Sequence, residues 1–237
     1  MSWISGRRGW RLGSRLEDLR VEGDAGRILP DWRFRPAVLY VEGIDMKDCV
    51  EKMFEEPMGC SEAQDVIRSI SRFDYMARDE AVKRYSFAVP CSEAVRALVK
   101  LSPLVEVGAG GGYWAGILKK AGADVIATDI GKQSGYSRLW SAESVLRMSA
   151  VEAVKAYPDR NVFVCWPSYD ECWAADMANA ILPGRVLAYI GEGCGGCTAN
   201  DRFFDILEEK YEEVEQLGIP QWGGIHDFLD IFRRKKK

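Results

Sequence analysis

From about residue 44 to residue 85 the apolar positions return at helical spacing. The runs are MKDCVEKMF, then AQDVIRSISRF with Ser61 as a candidate N-cap, then DEAVKRY. They predict a small helical region ahead of the main fold. Beyond Pro90 the pattern changes to short apolar runs alternating with helical ones. SEAVRALVKL reads as a helix, LVEVG as a first strand, YWAGILKKAG as a helix and DVIATD as a second strand. A short third strand follows near SVLRMS, then NVFVCW as a strand, CWAADMANAIL as a helix, RVLAYIG as a strand and DRFFDILEEK as a helix. Strand and helix in alternation predict a mostly parallel sheet with helices on its faces. The chain closes with YEEVEQLGI and FLDIFRR, two strand-like runs joined across PQWGGIHD, short enough for an antiparallel hairpin. Residues 1–35 mix Arg, Gly and Trp without periodicity and predict an irregular arm. The division expected is an arm and helical region over 1–83 and a main domain over 84–237.

At 237 residues and 47% hydrophobic content the chain can bury a sizeable core. A formal charge of −4 gives no global basic field. Contact with nucleic acid or another acidic surface would have to come from the basic ends: Arg7, Arg8, Arg11, Arg15 and Arg20 at the start, Arg233 to Lys237 at the finish. The bland reading of such ends is solubility. No apolar run suits a bilayer span or a secretory signal, so no membrane role is expected, and the location expected is cytoplasmic or nuclear. An Arg-rich start with Ser2, Ser5 and Ser14 leaves an organelle-targeting reading open, although Glu17 and Asp18 come early for it. Seven cysteines, an odd number, read as reduced thiols. Cys194 and Cys197 have the spacing of a redox pair or half a zinc site; burial beside a strand is the competing reading, and no metal is expected.

The chemistry centres on residues 104–118, LVEVGAGGGYWAGIL. A glycine turn between a buried strand and a helix lets a ligand approach the backbone beside a helix N-terminus. Gly108, Gly110 and Gly112 follow a strand carrying Glu106, and the second strand ends in Asp129. This set resembles the cofactor motif of class I S-adenosylmethionine-dependent methyltransferases, as does the terminal hairpin. RYSFAVP (84–90), GAGGGYWAGIL, CWPSYD (165–170), YIGEGCGGCT (189–198) and IPQWGGIHD (219–227) together resemble an uncharacterised methyltransferase-like family, over residues 84 to the end.

The resemblance implies a Rossmann-like, seven-stranded, mostly parallel sheet with a terminal antiparallel hairpin, and S-adenosylmethionine as cofactor. It implies that Glu106, Gly108 and Gly110 face the methionine part, that Asp129 takes the ribose hydroxyls, and that Ala109, Gly112, Tyr113 and Ile130 also belong to the cofactor site. Ser149 would stand where relatives hold an acid that reads adenine, and Tyr85 would close over the methionine end, unless it is a plain contact between regions. A nicotinamide enzyme is the rival, because Gly110, Gly112 and Ala115 also fit the looser Gly-x-Gly-x-x-Ala form.

Ligands of open parallel sheets bind beyond the carboxyl ends of the strands. The acceptor candidates there are Trp166 and Tyr169 after the fourth strand, Glu192 after the fifth, and His226, the single histidine, in the final loop. WPSY resembles the Asp/Asn-Pro-Pro-Tyr motif of amino-group methyltransferases, but Trp166 stands at the polar position. It keeps an aromatic platform and drops the proton-side partner. The same two rings could equally just cover the sheet end. His226 or Glu192 would serve as a base if one is needed. The alternative to an active methyltransferase is an idle methyltransferase-like protein that binds an RNA or protein partner.

Overall fold

A computed structural model of the chain describes residues 46–71, 76–131 and 144–236, all within the compact unit Pro36–Lys237. The irregular arm expected at the start, with its arginines, and the final Lys237 lie outside the described residues. Four helices come first: α1 (Met46–Glu55), α2 (Cys60–Ser71), α3 (Met76–Arg84) and α4 (Ser92–Lys100). Then follow β1 (Leu104–Val107), α5 (Tyr113–Lys120), β2 (Val125–Asp129), β3 (Val145–Arg147), α6 (Ala150–Ala156) and β4 (Asn161–Cys165). The chain ends with α7 (Trp173–Ala180), β5 (Val186–Glu192), α8 (Asp201–Lys210), β6 (Tyr211–Gly218) and β7 (Asp227–Arg234).

The seven strands form one sheet in the order β3-β2-β1-β4-β5-β7-β6. The first five pair in parallel, and β7 runs antiparallel to both β5 and β6. This is the Rossmann-like α/β fold with the terminal hairpin that the pattern predicts. Strand order reverses between β1 and β4, and such a reversal opens a crevice at the carboxyl ends of those two strands.

Successive strand residues point to opposite faces, so each strand divides its side chains between two cores. Leu104, Phe163, Ala188, Ile190, Leu229 and Ile231 join one cluster, which also takes in residues of α1–α5 such as Met53, Phe54, Ile67, Leu98 and Leu118. Val105, Val107, Val162, Val164, Leu187 and Tyr189 face the other, beneath α6, α7 and α8. The α1–α3 helices are tied to the first core by aromatic packing. Phe54 stacks on Tyr85 with ring centroids 4.9 Å apart, and the Tyr113 hydroxyl donates to the Phe54 carbonyl at 2.6 Å.

Three boundaries differ from the sequence pattern. Helix α2 starts ahead of Ser61 because its cap is not local: the Glu93 carboxylate on α4 accepts the Cys60 amide at 2.9 Å. Strands β5 and β7 extend to include Glu192 and Asp227, which pair with each other in register. Helix α6, absent from the pattern reading, is closed by a capping box. Ser149 accepts the Glu152 amide at 3.3 Å, and the Glu152 carboxylate accepts the Ser149 amide at 2.8 Å. Ser149→Ala is expected to cost about 1 kcal/mol of stability, read by denaturant unfolding, with little effect on the rest of the fold.

The outer strand β6 carries exposed Glu212, Glu213 and Glu215 and a register shift between Glu213 and Glu215. At the opposite edge β3 is three residues long.

Candidate functional site

Beta-strand alternation puts four carboxylates on the face of the sheet that α1–α5 cover, at or near the carboxyl ends of the parallel strands. Glu106 is in phase with Leu104, Asp129 with Ala127, Glu192 with Ala188 and Ile190, and Asp227 with Leu229 and Ile231. Each has a different set of partners.

Glu106 is 2% exposed. It accepts the backbone amide of Ala115 in the first turn of α5, while its Oε2 has no hydrogen-bond partner. Burial, with the nearby charge of Asp129, pushes its carboxyl up to about 8 against the opposing pull of the Ala115 amide and Lys119. Asp129 ends β2 and ties down the glycine turn: Gly110 N–H donates to Oδ2 at 3.0 Å and Gly131 N–H to Oδ1 at 2.7 Å. Among the described residues each of these oxygens keeps one acceptor site. Ile130 beside it is 40% exposed, a large apolar side chain on the rim.

Between them the turn takes left-handed backbone at Gly108, Gly110 and Gly112. At Gly108 the absent side chain serves packing as well. A Cβ there would lie 3.1 Å from the indole of Trp173, so that ring, rather than open space, fills the side-chain direction. The Ala109 amide donates across the turn to the Thr128 carbonyl at 3.0 Å.

Tyr85, Tyr113 and Ser149 have their polar groups engaged within the chain. Tyr85 is 1% exposed, its ring inside the Phe54–Tyr113 aromatic group and its hydroxyl bonded to Glu55 at 3.3 Å. Tyr113 is buried with its hydroxyl on Phe54. Both rings join helices to core instead of lining an opening. The Ser149 hydroxyl is committed to the α6 cap.

On the acceptor side Glu192 acts as a latch. Its Oε2 accepts the Cys197 amide at 2.8 Å and its Oε1 the His226 amide at 2.9 Å, so one carboxylate joins the loop after β5 to the loop before β7. Although burial acts in the other direction, these amides hold its carboxyl below the usual range. Gly196 packs against this latch, where a Cβ would lie 3.0 Å from the Gly193 carbonyl and 3.1 Å from Glu192 Oε2. The His226 ring is 80% exposed and its Nδ1 lies 3.9 Å from Glu192, so the histidine is a rim group and not a buried base. Tyr169 projects from the rim at 68% exposure.

Trp166 is held on three sides. Its backbone is left-handed with φ of 51°, its amide donates to the Ile190 carbonyl at 2.7 Å, and its ring stacks on Phe87 at 5.1 Å. Its indole Nε1 donates to Asp227 Oδ2 at 2.9 Å. Sequence reasoning passed over Asp227. The signal was present, since an acid two residues before Leu229 and four before Ile231 is in phase with the buried face.

Cys194 and Cys197 are exposed, and among the described residues no group of His, Cys, Asp and Glu is arranged to hold a metal ion. Among the described residues no helix is long and apolar enough to cross a membrane. The basic C-terminus is engaged within the chain. Arg233 faces Glu212 at 3.8 Å, Arg234 donates to the Ala178 carbonyl at 2.9 Å, and Lys235 donates to the Glu208 and Glu209 carbonyls in the last turn of α8.

No family model and no curated protein matches the chain. Solved structures resemble it at low identity. One is 1,6-didemethyltoxoflavin-N1-methyltransferase of Burkholderia thailandensis, with 1,6-didemethyltoxoflavin and S-adenosylhomocysteine bound: 15% identity, 61% of this chain and 78% of that one covered, TM-score 0.40. Another is the N-methyltransferase NodS of Bradyrhizobium japonicum: 16% identity, 61% and 96% covered, TM-score 0.38. A third is an rRNA methylase of Streptococcus thermophilus: 16% identity, 61% and 96% covered, TM-score 0.41. Scores this low carry no functional argument.

Proposed function

We propose that the protein is an S-adenosylmethionine-dependent methyltransferase. The observation that carries the reading is the buried Glu106 Oε2, left without a donor at the reversal point of the sheet, between a glycine turn and an acid that ends β2. A buried acceptor without a donor is costly, and a ligand bearing an N–H group there would relieve it. Glu106 would take the ammonium of the methionine part, the remaining acceptor sites of Asp129 the ribose hydroxyls, and Ile130 would cover apolar ring surface. The cofactor supplies an electrophilic methyl carbon on a sulfonium. The work left to the chain is to align the acceptor and exclude water.

Calorimetric titration with S-adenosylmethionine tests this, with NAD and NADP titrated in parallel against the nicotinamide alternative. Because burial keeps Glu106 largely protonated at neutral pH, and a cationic ammonium favours its ionised form, binding should release a proton. Affinity is then expected to strengthen between about pH 6 and about pH 7.5, below the range in which an α-amino group loses its own charge. The heat should also vary with the ionisation enthalpy of the buffer. No heat and no thermal shift at millimolar cofactor would sink the proposal.

The idle, partner-binding reading draws on the committed state of Glu192, whose two oxygens both serve the backbone. Cofactor binding together with methyl transfer to any acceptor excludes it.

A further inference from the structure

A second buried polar group stands opposite the first. Asp227 is 2% exposed; its Oδ2 takes the Trp166 indole, and its Oδ1 has no hydrogen-bond partner among the described residues. Its backbone carbonyl is fixed by Gln221 Nε2 at 2.7 Å, so the residue is held from both ends. Two donors in the same region are also buried without partners, Trp222 Nε1 in the loop that leads into Asp227 and Nε of Arg78, whose charge acts on Asp227. Cys165 links the two acids, since its thiol feels the charges of both Glu106 and Asp227. The pairing β1-β4-β5-β7 spans three strand spacings, about 14 Å. The two acids thus lie on a single face of the sheet, each with an unpartnered carboxyl oxygen among the described residues.

We infer that Asp227 Oδ1 is the hydrogen-bond partner of the methyl acceptor, and that the acceptor is a planar ring presenting a neutral N–H. The polar position that strand four lacks is supplied from β7, and Trp166, which replaces the polar residue, aims the substitute. The surroundings are aromatic, with Trp166 stacked on Phe87 and packed against the same apolar cluster in which Trp222 is buried.

A nitrogen acceptor also fits the base. Burial first, and the charge of Glu192, push the Asp227 carboxyl up to about 6 against the Trp166 indole, its own backbone amide and Arg78. Such a base is too weak to strip a neutral hydroxyl before transfer. In a ring that carries the N–H on one nitrogen, a second nitrogen without hydrogen keeps an in-plane lone pair and needs no prior deprotonation. Its lone pair forms the N–C bond, the C–S bonding pair stays on sulfur, and the proton that the now cationic ring holds passes to Asp227 and on to solvent.

The chemistry after binding rests on the methyltransferase reading; the N–H recognition does not. The test uses benzimidazole and 1-methylbenzimidazole as a matched pair with and without the N–H, titrated into the full chain by ligand-detected NMR. The wild type is expected to bind benzimidazole at least tenfold more tightly. Asp227→Asn should abolish that preference, because an amide must turn its NH2 group toward either the indole N–H or the ligand N–H. Equal binding of the pair by the wild type, binding of neither at millimolar concentration, or a preference that survives in Asp227→Asn overturns the inference. If the variant does not fold, the wild-type comparison alone decides. S-adenosylmethionine titrated into the same samples separates the two readings: loss of cofactor heat in the wild type strikes at methyl transfer and leaves the N–H preference to be judged alone.

Discussion

Glu192→Ala unfolds on the order of 10 °C below the wild type, the largest stability effect expected of any rim substitution. The estimate follows from what the side chain holds. Two backbone amides, those of Cys197 and His226, donate to its two oxygens, and hydrogen bonds to an ionised, nearly buried carboxylate contribute roughly 1.5–3 kcal/mol each. Losing both costs about 3–6 kcal/mol and frees two loops that otherwise constrain each other. Glu192→Gln should recover only part of this, because a carboxamide offers one oxygen and sets its NH2 against the second amide. The pH dependence has a defined sign. The folded-state carboxyl titrates below its ordinary value of 4.5, so its stabilisation is complete above that value and disappears as pH falls through the lower folded value. Thermal melts of the three proteins at neutral and acidic pH check this. Equal midpoints for wild type and Glu192→Ala would show that the latch holds nothing.

Asp129→Ala is expected to weaken S-adenosylmethionine binding on the order of 100-fold. Two hydroxyl groups donating to a carboxylate contribute about 3 kcal/mol together, which corresponds to that factor. The substitution also releases the amides of Gly110 and Gly131, so a calorimetric titration has to be paired with a melt. Weak binding with a near-native midpoint assigns the loss to the ribose contact. A fallen midpoint assigns it to a loosened turn. Wild-type affinity in Asp129→Ala would remove this residue from the cofactor site.

The sheet was legible in the sequence because its strands are short apolar runs separated by amphipathic helices, and that pattern survives without knowledge of tertiary contacts. Helix α6 was lost for a local reason. Seven residues between a short strand and Tyr157-Pro158 give too little periodicity, and its clearest signal was the Ser149-to-Glu152 capping spacing, which competed with a cofactor reading of Ser149. The start of α2 was misplaced because its cap lies on α4, 33 residues along the chain.

The site divides the same way. Glu106, Asp129 and the glycine turn are close in sequence, and so their association could be read. Trp166 and Asp227 stand 61 residues apart and meet only because β7 inserts beside β5. Tyr85 and Tyr113 were placed near the cofactor because their interest was read from chain position. Their hydroxyls are engaged by α1, and one-dimensional spacing, which shows that helix, carries no trace of its contacts with these two rings.

The two margins of the sheet restrict how the molecule can meet others. Unpaired backbone groups along an outer strand invite another strand to add on, and such addition is how edges seed aggregates or recruit extended peptides. At β6 an incoming strand would meet a row of glutamates and an interrupted ladder, and at β3 it would find three residues of backbone. Among the described residues, both margins of the sheet thus disfavour main-chain pairing with a further strand.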